Sequence, residues 1–122
     1  MPLTRAYHLA HLWMELTRQL PATLAPELQP QIGSRIGVLM ILAAVYLGTV
    51  EGRPMNTTKL ASFVGMPRGT VIRWLRLLCR RGAIVRFDHV YRMPAARLDR
   101  IARRDLGAMV RTVRSTADKL KR

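Results

Sequence analysis

Apolar residues near the start of the chain recur at three- and four-residue steps: Leu9, Leu12, Trp13, Leu16 and Leu20. That period predicts an amphipathic helix with Thr4 as its N-cap, running to Leu20 and closed by Pro21. Pro21, Pro26 and Pro30 break helical hydrogen bonding, so Pro21 to Gln31 is expected to be an irregular crossing. From Ile32 to Val50 the chain is apolar nearly all round, which predicts a central helix covered on every side by other elements. Its uncharged stretch, Ile36 to Val50, is fifteen residues long, short of the about 20 a membrane-spanning helix needs. A buried helix and no membrane span are therefore expected.

Gly52-Arg53-Pro54 ends this helix, and Asn56-Thr57-Thr58 offers an N-cap for a short helix through Val64, with Gly65 just past its end. A tight connection, Gly65-Met66-Pro67-Arg68-Gly69-Thr70, leads into a second helix from Arg68 to Arg81, ended by Gly82. A short helix, a tight turn and a second helix make a helix-turn-helix unit. At about 100° per residue, Val71, Ile72, Leu75, Leu78 and Cys79 share one side of the second helix, while Gly69, Thr70, Arg73, Arg76 and Arg80 share the other. The apolar side is expected to face inward. The arginine side can lie along a groove and reach phosphates and the acceptor edge of guanine, as a recognition helix does. Leu77 also points outward in this projection; either it touches a thymine methyl or the helix is rotated from the projection.

Ala83 to Phe87 and Val90 to Met93 are β-prone runs separated by Asp88-His89, a two-residue hairpin loop. A hairpin directly after a helix-turn-helix is the winged form, in which Arg86 and Arg92 are placed to contact the sugar-phosphate backbone. Pro94 ends the hairpin, and one long helix is expected from Ala95 to Lys119. Its stripe of Leu98, Ala102, Leu106, Met109, Val113, Ala117 and Leu120 is spaced 4, 4, 3, 4, 4, 3. A stripe that long exceeds what one small domain can cover. Residues 1–20 and 95–121 are therefore expected to form a dimerisation platform around the helix-turn-helix and wing at 56–93.

Charge sharpens this picture. The 122 residues carry a net +14, which favours polyanionic partners, nucleic acid or anionic membrane. Residues 1–61 hold five cationic and three acidic side chains, whereas residues 62–122 hold sixteen and four. Between Arg68 and Arg92 there are seven arginines and one aspartate, so the surplus lies on the helix-turn-helix itself. The arginines of the last helix lie off its apolar stripe and are read as a solvating face. With 49% hydrophobic residues the chain folds as one compact domain rather than a disordered polycation. The opening residues lack the basic-then-apolar order of a secretory signal. One cysteine cannot close an intrachain disulfide, and a reducing, cytoplasmic setting is expected.

The segment opens with Thr57-Thr58-Lys59-Leu60-Ala61, turns at Gly65-Met66-Pro67, continues with Thr70-Val71, Arg73 and Leu77-Leu78, and leaves through Gly82-Ala83-Ile84-Val85. In these features residues 57–85 resemble the winged helix-turn-helix of bacterial transcriptional regulators of the MarR and IclR type. The order of the flanking helices is similar to the MarR group. The resemblance implies a mostly α fold with a small β-hairpin wing, and N- and C-terminal helices that interlock in a homodimer on pseudo-palindromic double-stranded DNA. It also implies that Thr70 and Arg73 face the bases. The Asp-Arg-Arg common in the wing of that family is absent from Val85-Arg86-Phe87-Asp88-His89. The expected DNA-binding set is Thr57, Thr58 and Lys59, then Arg68, Gly69, Thr70, Arg73, Arg76 and Arg80, then Arg86 and Arg92.

Other chemistry finds less support. His8 and His11 have helical spacing suited to a metal, but no Cys or carboxylate completes a ligand set, so no metal is expected. Cys79 falls on the inward side and is read as a small hydrophobe rather than the oxidant sensor found in some MarR relatives. Trp74 and Tyr91 are read as packing residues, and no pocket for a small-molecule effector is legible. No Gly-rich phosphate loop, paired carboxylates or nucleophile with its base appears, so neither an enzyme nor a cofactor is expected. The leading expectation is a sequence-specific DNA-binding regulator. The alternative is a basic protein-interaction or membrane-surface module that uses the winged helix as architecture.

Overall fold

A computed structural model describes residues 2–24 and 35–121. In chain order these form α1 (Pro2–Leu24), α2 (Arg35–Val50), α3 (Thr57–Val64), α4 (Arg68–Arg80), β1 (Val85–Phe87), β2 (Val90–Arg92), α5 (Ala95–Ala102) and α6 (Gly107–Leu120). The described protein is therefore mostly helical, with one small antiparallel hairpin.

The core gathers on α2. Its Ile41, Leu42 and Val45 meet Leu60 of α3, Val71, Leu75 and Leu78 of α4, then Ala83, Ile84, Met93 and Ile101 further along the chain. Each of these apolar side chains is removed from water, and burial of a Leu, Ile or Val contributes about 1.5–3 kcal/mol. The expectation that α2 would be covered on every side is corrected. Ile36, Met40, Leu47 and Val50 remain exposed, at helical steps of four, seven and three, because no described element covers that flank.

Local chemistry sets the element ends. Asn56 Oδ1 accepts a hydrogen bond from Lys59 N at 2.8 Å and caps α3. Gly65, at φ 72°, closes α3 in the left-handed conformation that favours glycine, as its place in the sequence predicts. Pro67 N-terminal to α4 leaves a helix that runs to Arg80 with Arg81 as its C-cap, within a residue of the expected end. At the far end of α2, a Cβ on Gly48 would stand 3.0 Å from Arg53 O, so the loop back from α2 approaches closely there. Thr49 joins α2 to the hairpin: its Oγ1 donates to Val45 O at 2.8 Å and accepts from Met93 N at 2.9 Å.

The hairpin pairs Val85 with Arg92, Arg86 with Tyr91 and Phe87 with Val90 around Asp88-His89. Asp88 sits at φ 60°, a conformation that Asp tolerates in tight hairpin turns. The strands are shorter than the β-prone runs, because Ala83, Ile84 and Met93 are drawn into the core. A bridge between Met55 and Tyr91, with Tyr91 N donating to Met55 O at 3.1 Å, ties the hairpin to the start of the helix-turn-helix segment.

Two further expectations are corrected. Helix α1 continues through Pro21 to Leu24, so Pro21 does not close it. Pro21 lacks the N–H that would bond the carbonyl of Thr17 one turn earlier, and the helix nonetheless keeps its course for a further turn. The remainder of the expected crossing, and the first residues of the expected central helix, lie outside the described residues. The single helix from Ala95 to Lys119 is two helices. Arg103 caps α5, and Asp105 Oδ1 accepts from Gly107 N at 2.8 Å to start α6. This side-chain bond to the backbone offers an alternative to helical pairing that overrides the apolar period. Ile101 then joins the core, while α6 lies on α1, where Gln19 Nε2 reaches Thr112 Oγ1 at 3.5 Å.

Replacing Leu60 by Ala should lower the unfolding free energy by about 2–5 kcal/mol, whereas Asn56→Ala should lower it by about 1 kcal/mol through the lost cap. Urea denaturation of the two variants checks this order, and a larger loss at Asn56 would contradict it.

Candidate nucleic-acid interface

Why α4 turns its arginines outward follows from its buried side. Val71, Leu75 and Leu78 are fully buried, with Trp74, Ile72 and Cys79 half-buried on either flank. The helix is thereby held by one apolar stripe, and Arg73, Arg76 and Arg80 project from the opposite side and are exposed. Leu77 is half-buried, so the helix is turned slightly from the ideal projection and Leu77 does not stand free in solvent.

Between α4 and the hairpin lies a groove of about 650 Å³, lined by Gly69, Ile72, Arg73, Leu75, Arg76, Cys79, Arg80, Arg86 and Tyr91. Its rim carries four guanidinium groups and its lining holds no carboxylate. Four like charges in one groove repel one another, and an anion is the species that relieves them. Arg76 and Arg80 form no side-chain hydrogen bond or ion pair with another described residue. Arg86 is steadied by its own turn: its Nε donates to Asp88 O at 3.0 Å. The guanidinium of Arg73 sits 5.8 Å from the centroid of the Trp74 ring. Gly69, with no side chain and open space where a Cβ would stand, lets a ligand approach the first turn of α4 closely.

Of the sequence-derived set, Gly69, Arg73, Arg76, Arg80 and Arg86 come together on this groove. Thr58, Lys59 and Arg68 are exposed and Thr57 and Thr70 are half-buried, all outside the groove lining. Arg92 does not join Arg86. It pairs with Val85, whereas Arg86 pairs with Tyr91, and successive residues of a strand point to opposite faces. Arg92 therefore shares the outer face with Val85, Phe87 and Val90. Tyr91, expected to be a packing residue, lines the groove beside Arg86. The signal that locates it is the parity of the hairpin: a two-residue loop at Asp88-His89 makes 86 and 91 partners.

No protein-family model, curated protein or solved structure matches the chain.

The remaining chemistry is sparse. Among the described residues no group of three or more His, Cys, Asp or Glu side chains is placed to hold a metal ion. No described helix is long and apolar enough to cross a membrane. A smaller cleft of about 360 Å³ between α1 and α6 brings Tyr7, His8 and His11 opposite Arg111, Ser115 and Lys119.

Burial pushes the Cys79 thiol above its ordinary value, and the nearby Arg86 charge pulls it partly back by favouring the thiolate. Cys79 should therefore alkylate with iodoacetamide more slowly at neutral pH than a free cysteine. Arg86→Ala removes the opposing cation, so its rate-against-pH curve should move further toward high pH. A curve displaced toward low pH would contradict the assigned cause.

Proposed function

We propose that the protein is a sequence-specific DNA-binding transcriptional regulator of winged helix-turn-helix type, resembling the MarR group, with α4 as the recognition helix in the major groove. One observation carries this reading: Arg73, Arg76, Arg80 and Arg86 rim a single groove between α4 and the hairpin that no carboxylate lines. The groove faces solvent along a helix, and an α-helix fits the B-DNA major groove. Arg76, Arg80 and Arg86 neutralise phosphates, with release of condensed counterions supplying most of the affinity. Arg73, with Thr70 beside it, reads base edges. Lys59 and Arg68, at the starts of α3 and α4, contribute to the field that orients the duplex. Arg92 faces away from the groove and is left out of the direct contact set.

A homodimer is part of the same reading. Leu9, Trp13 and Met14 of α1, Ile36, Met40 and Leu47 of α2, and Val110 and Val113 of α6 are all exposed. Large apolar surface at this density marks a protein-protein contact, and a twofold copy of the same surfaces is self-complementary. Two copies would present two α4 helices to successive major grooves of a pseudo-palindromic site.

Selection of bound fragments from random duplex DNA tests the reading, with binding measured on the selected and on random duplex. A preferred site should emerge, and Arg73→Ala should reduce discrimination by about 1–3 kcal/mol. The logarithm of affinity should fall steeply with the logarithm of salt, and Arg76→Ala with Arg80→Ala should flatten that slope by about two phosphate contacts. Equal affinity for random duplex and for anionic lipid vesicles would overturn it in favour of a general polyanion-binding module. Sedimentation should return the mass of two chains, and Trp13→Glu with Val113→Glu should return that of one.

A further inference from the structure

The four arginines of the groove are not held alike. Arg86 is anchored by a backbone carbonyl, and Arg76 and Arg80 have no described partner. Arg73 alone stands over an aromatic ring, its Cζ 5.8 Å from the Trp74 centroid. Helix geometry does not impose this contact: side chains at i and i+1 diverge by about 100° and do not face each other. The guanidinium has to lean across to reach the indole. Trp74 is in turn fixed from behind. It is half-buried against the core, and it lies where α2 has a glycine: a Cβ at Gly37 would stand 3.7 Å from Met66 Sδ and 4.0 Å from Trp74 Nε1. The indole thus has its Nε1 edge turned to α2 and a face that carries a cation.

We propose that Trp74 is a positioning residue that holds the Arg73 guanidinium in a single orientation, so that Arg73 reads guanine while the unsupported Arg76 and Arg80 bind phosphate without regard to sequence. The inference rests on the DNA-binding reading above. Its physical basis is that a bidentate contact to guanine requires a planar fork in one orientation. A phosphate accepts a cation from many directions, so freedom of the side chain costs little there. Ordering Arg73 on the indole before DNA arrives removes part of the rotamer entropy that a free arginine loses on binding, and a cation over an indole face is attracted to its quadrupole.

The first test needs no DNA. The protein has two tryptophans, Trp13 and Trp74, so in a Trp13→Phe background the intrinsic fluorescence reports Trp74 alone. Arg73→Ala should change its emission intensity and its quenching by acrylamide; unchanged values would overturn the contact. The second test compares affinity for selected and random duplexes. Trp74→Leu should lower discrimination at a guanine position by about three- to tenfold, the scale of one lost cation-aromatic contact, with affinity for random duplex and the salt slope unchanged. Trp74→Phe keeps a ring and should lose less, and it serves also if the Leu variant folds poorly. In an Arg73→Ala background, Trp74→Leu should have no further effect on discrimination. Equal loss on selected and random duplex, a Phe variant no better than Leu, or additive losses in the double variant would overturn the positioning role while leaving the DNA-binding reading intact. Full discrimination by Arg73→Ala would overturn both Trp74's role and the assignment of Arg73 as a base reader.

Discussion

Apolar burial along one side of α2 is the constraint from which the other features descend. Ile41, Leu42 and Val45 form the surface onto which α3, α4 and the strand return are laid. The alternative holders of the fold are weak. Ion pairs such as Arg18 with Glu15 and Lys121 with Asp118 lie at the surface, where such pairs contribute about 0–1 kcal/mol. Burial of Leu60, Leu75, Leu78 and Ile84 exceeds that several-fold per residue. The orientation of α4 about its own axis is therefore decided from inside, by where Val71, Leu75 and Leu78 must go, and the arginines occupy what remains.

That order of causes explains how a helix carries Arg73, Arg76 and Arg80 on one face with no acidic residue among them. Like charges at steps of three and four are unfavourable by about 0.2–0.5 kcal/mol per pair. The core is larger than this penalty, so the charge can stay uncompensated in the free protein. An uncompensated groove is useful only to an anion, and the proposed duplex supplies one. The same logic leaves Cys79 and Tyr91 on the groove side without making them chemical groups: they are the edge of the packed stripe, seen from outside.

What could be read from the residues alone was what is local. Asn56, Gly65, Pro67 and Gly82 punctuate α3 and α4 within a few residues of each boundary, and the 3.6-residue period of Val71, Leu75 and Leu78 names the buried side without knowledge of any partner. The arginines at the groove followed from that period. Features that depend on distant pairing were not legible. The bridge from Met55 to Tyr91 joins positions far apart in the chain. The outward turn of Arg92 depends on hairpin register, and counting basic residues ignored that parity. The break between α5 and α6 was masked for a different reason: the apolar spacing from Leu98 to Leu120 continues straight through it. A period records which residues prefer burial, not whether one partner buries them all. Leu98 goes to the core and α6 goes to α1, so one stripe serves two surfaces.

The break has a consequence for assembly. A continuous helix would tie α6 rigidly to α5 and the core, whereas the turn at Arg103 to Leu106 lets α6 follow α1. The apolar residues left uncovered on α1, α2 and α6 then lie on flanks outside the packed faces, where α1 meets α6 and α2 and where α2 also carries α4. Under the proposed reading, a twofold partner seated on these helices buries their exposed apolar flanks, none of whose residues lines the arginine groove, which comes from α4 and the hairpin. Separation of the two surfaces is what a dimeric DNA-binding protein requires, because each α4 must remain open to solvent after the subunits have joined. Under the proposed reading the charge asymmetry follows that division only in part: residues 1–61, which supply α1 and α2, hold five cationic and three acidic side chains and can meet a second copy, whereas residues 62–122 supply the charged groove together with α6 and its exposed Val110 and Val113.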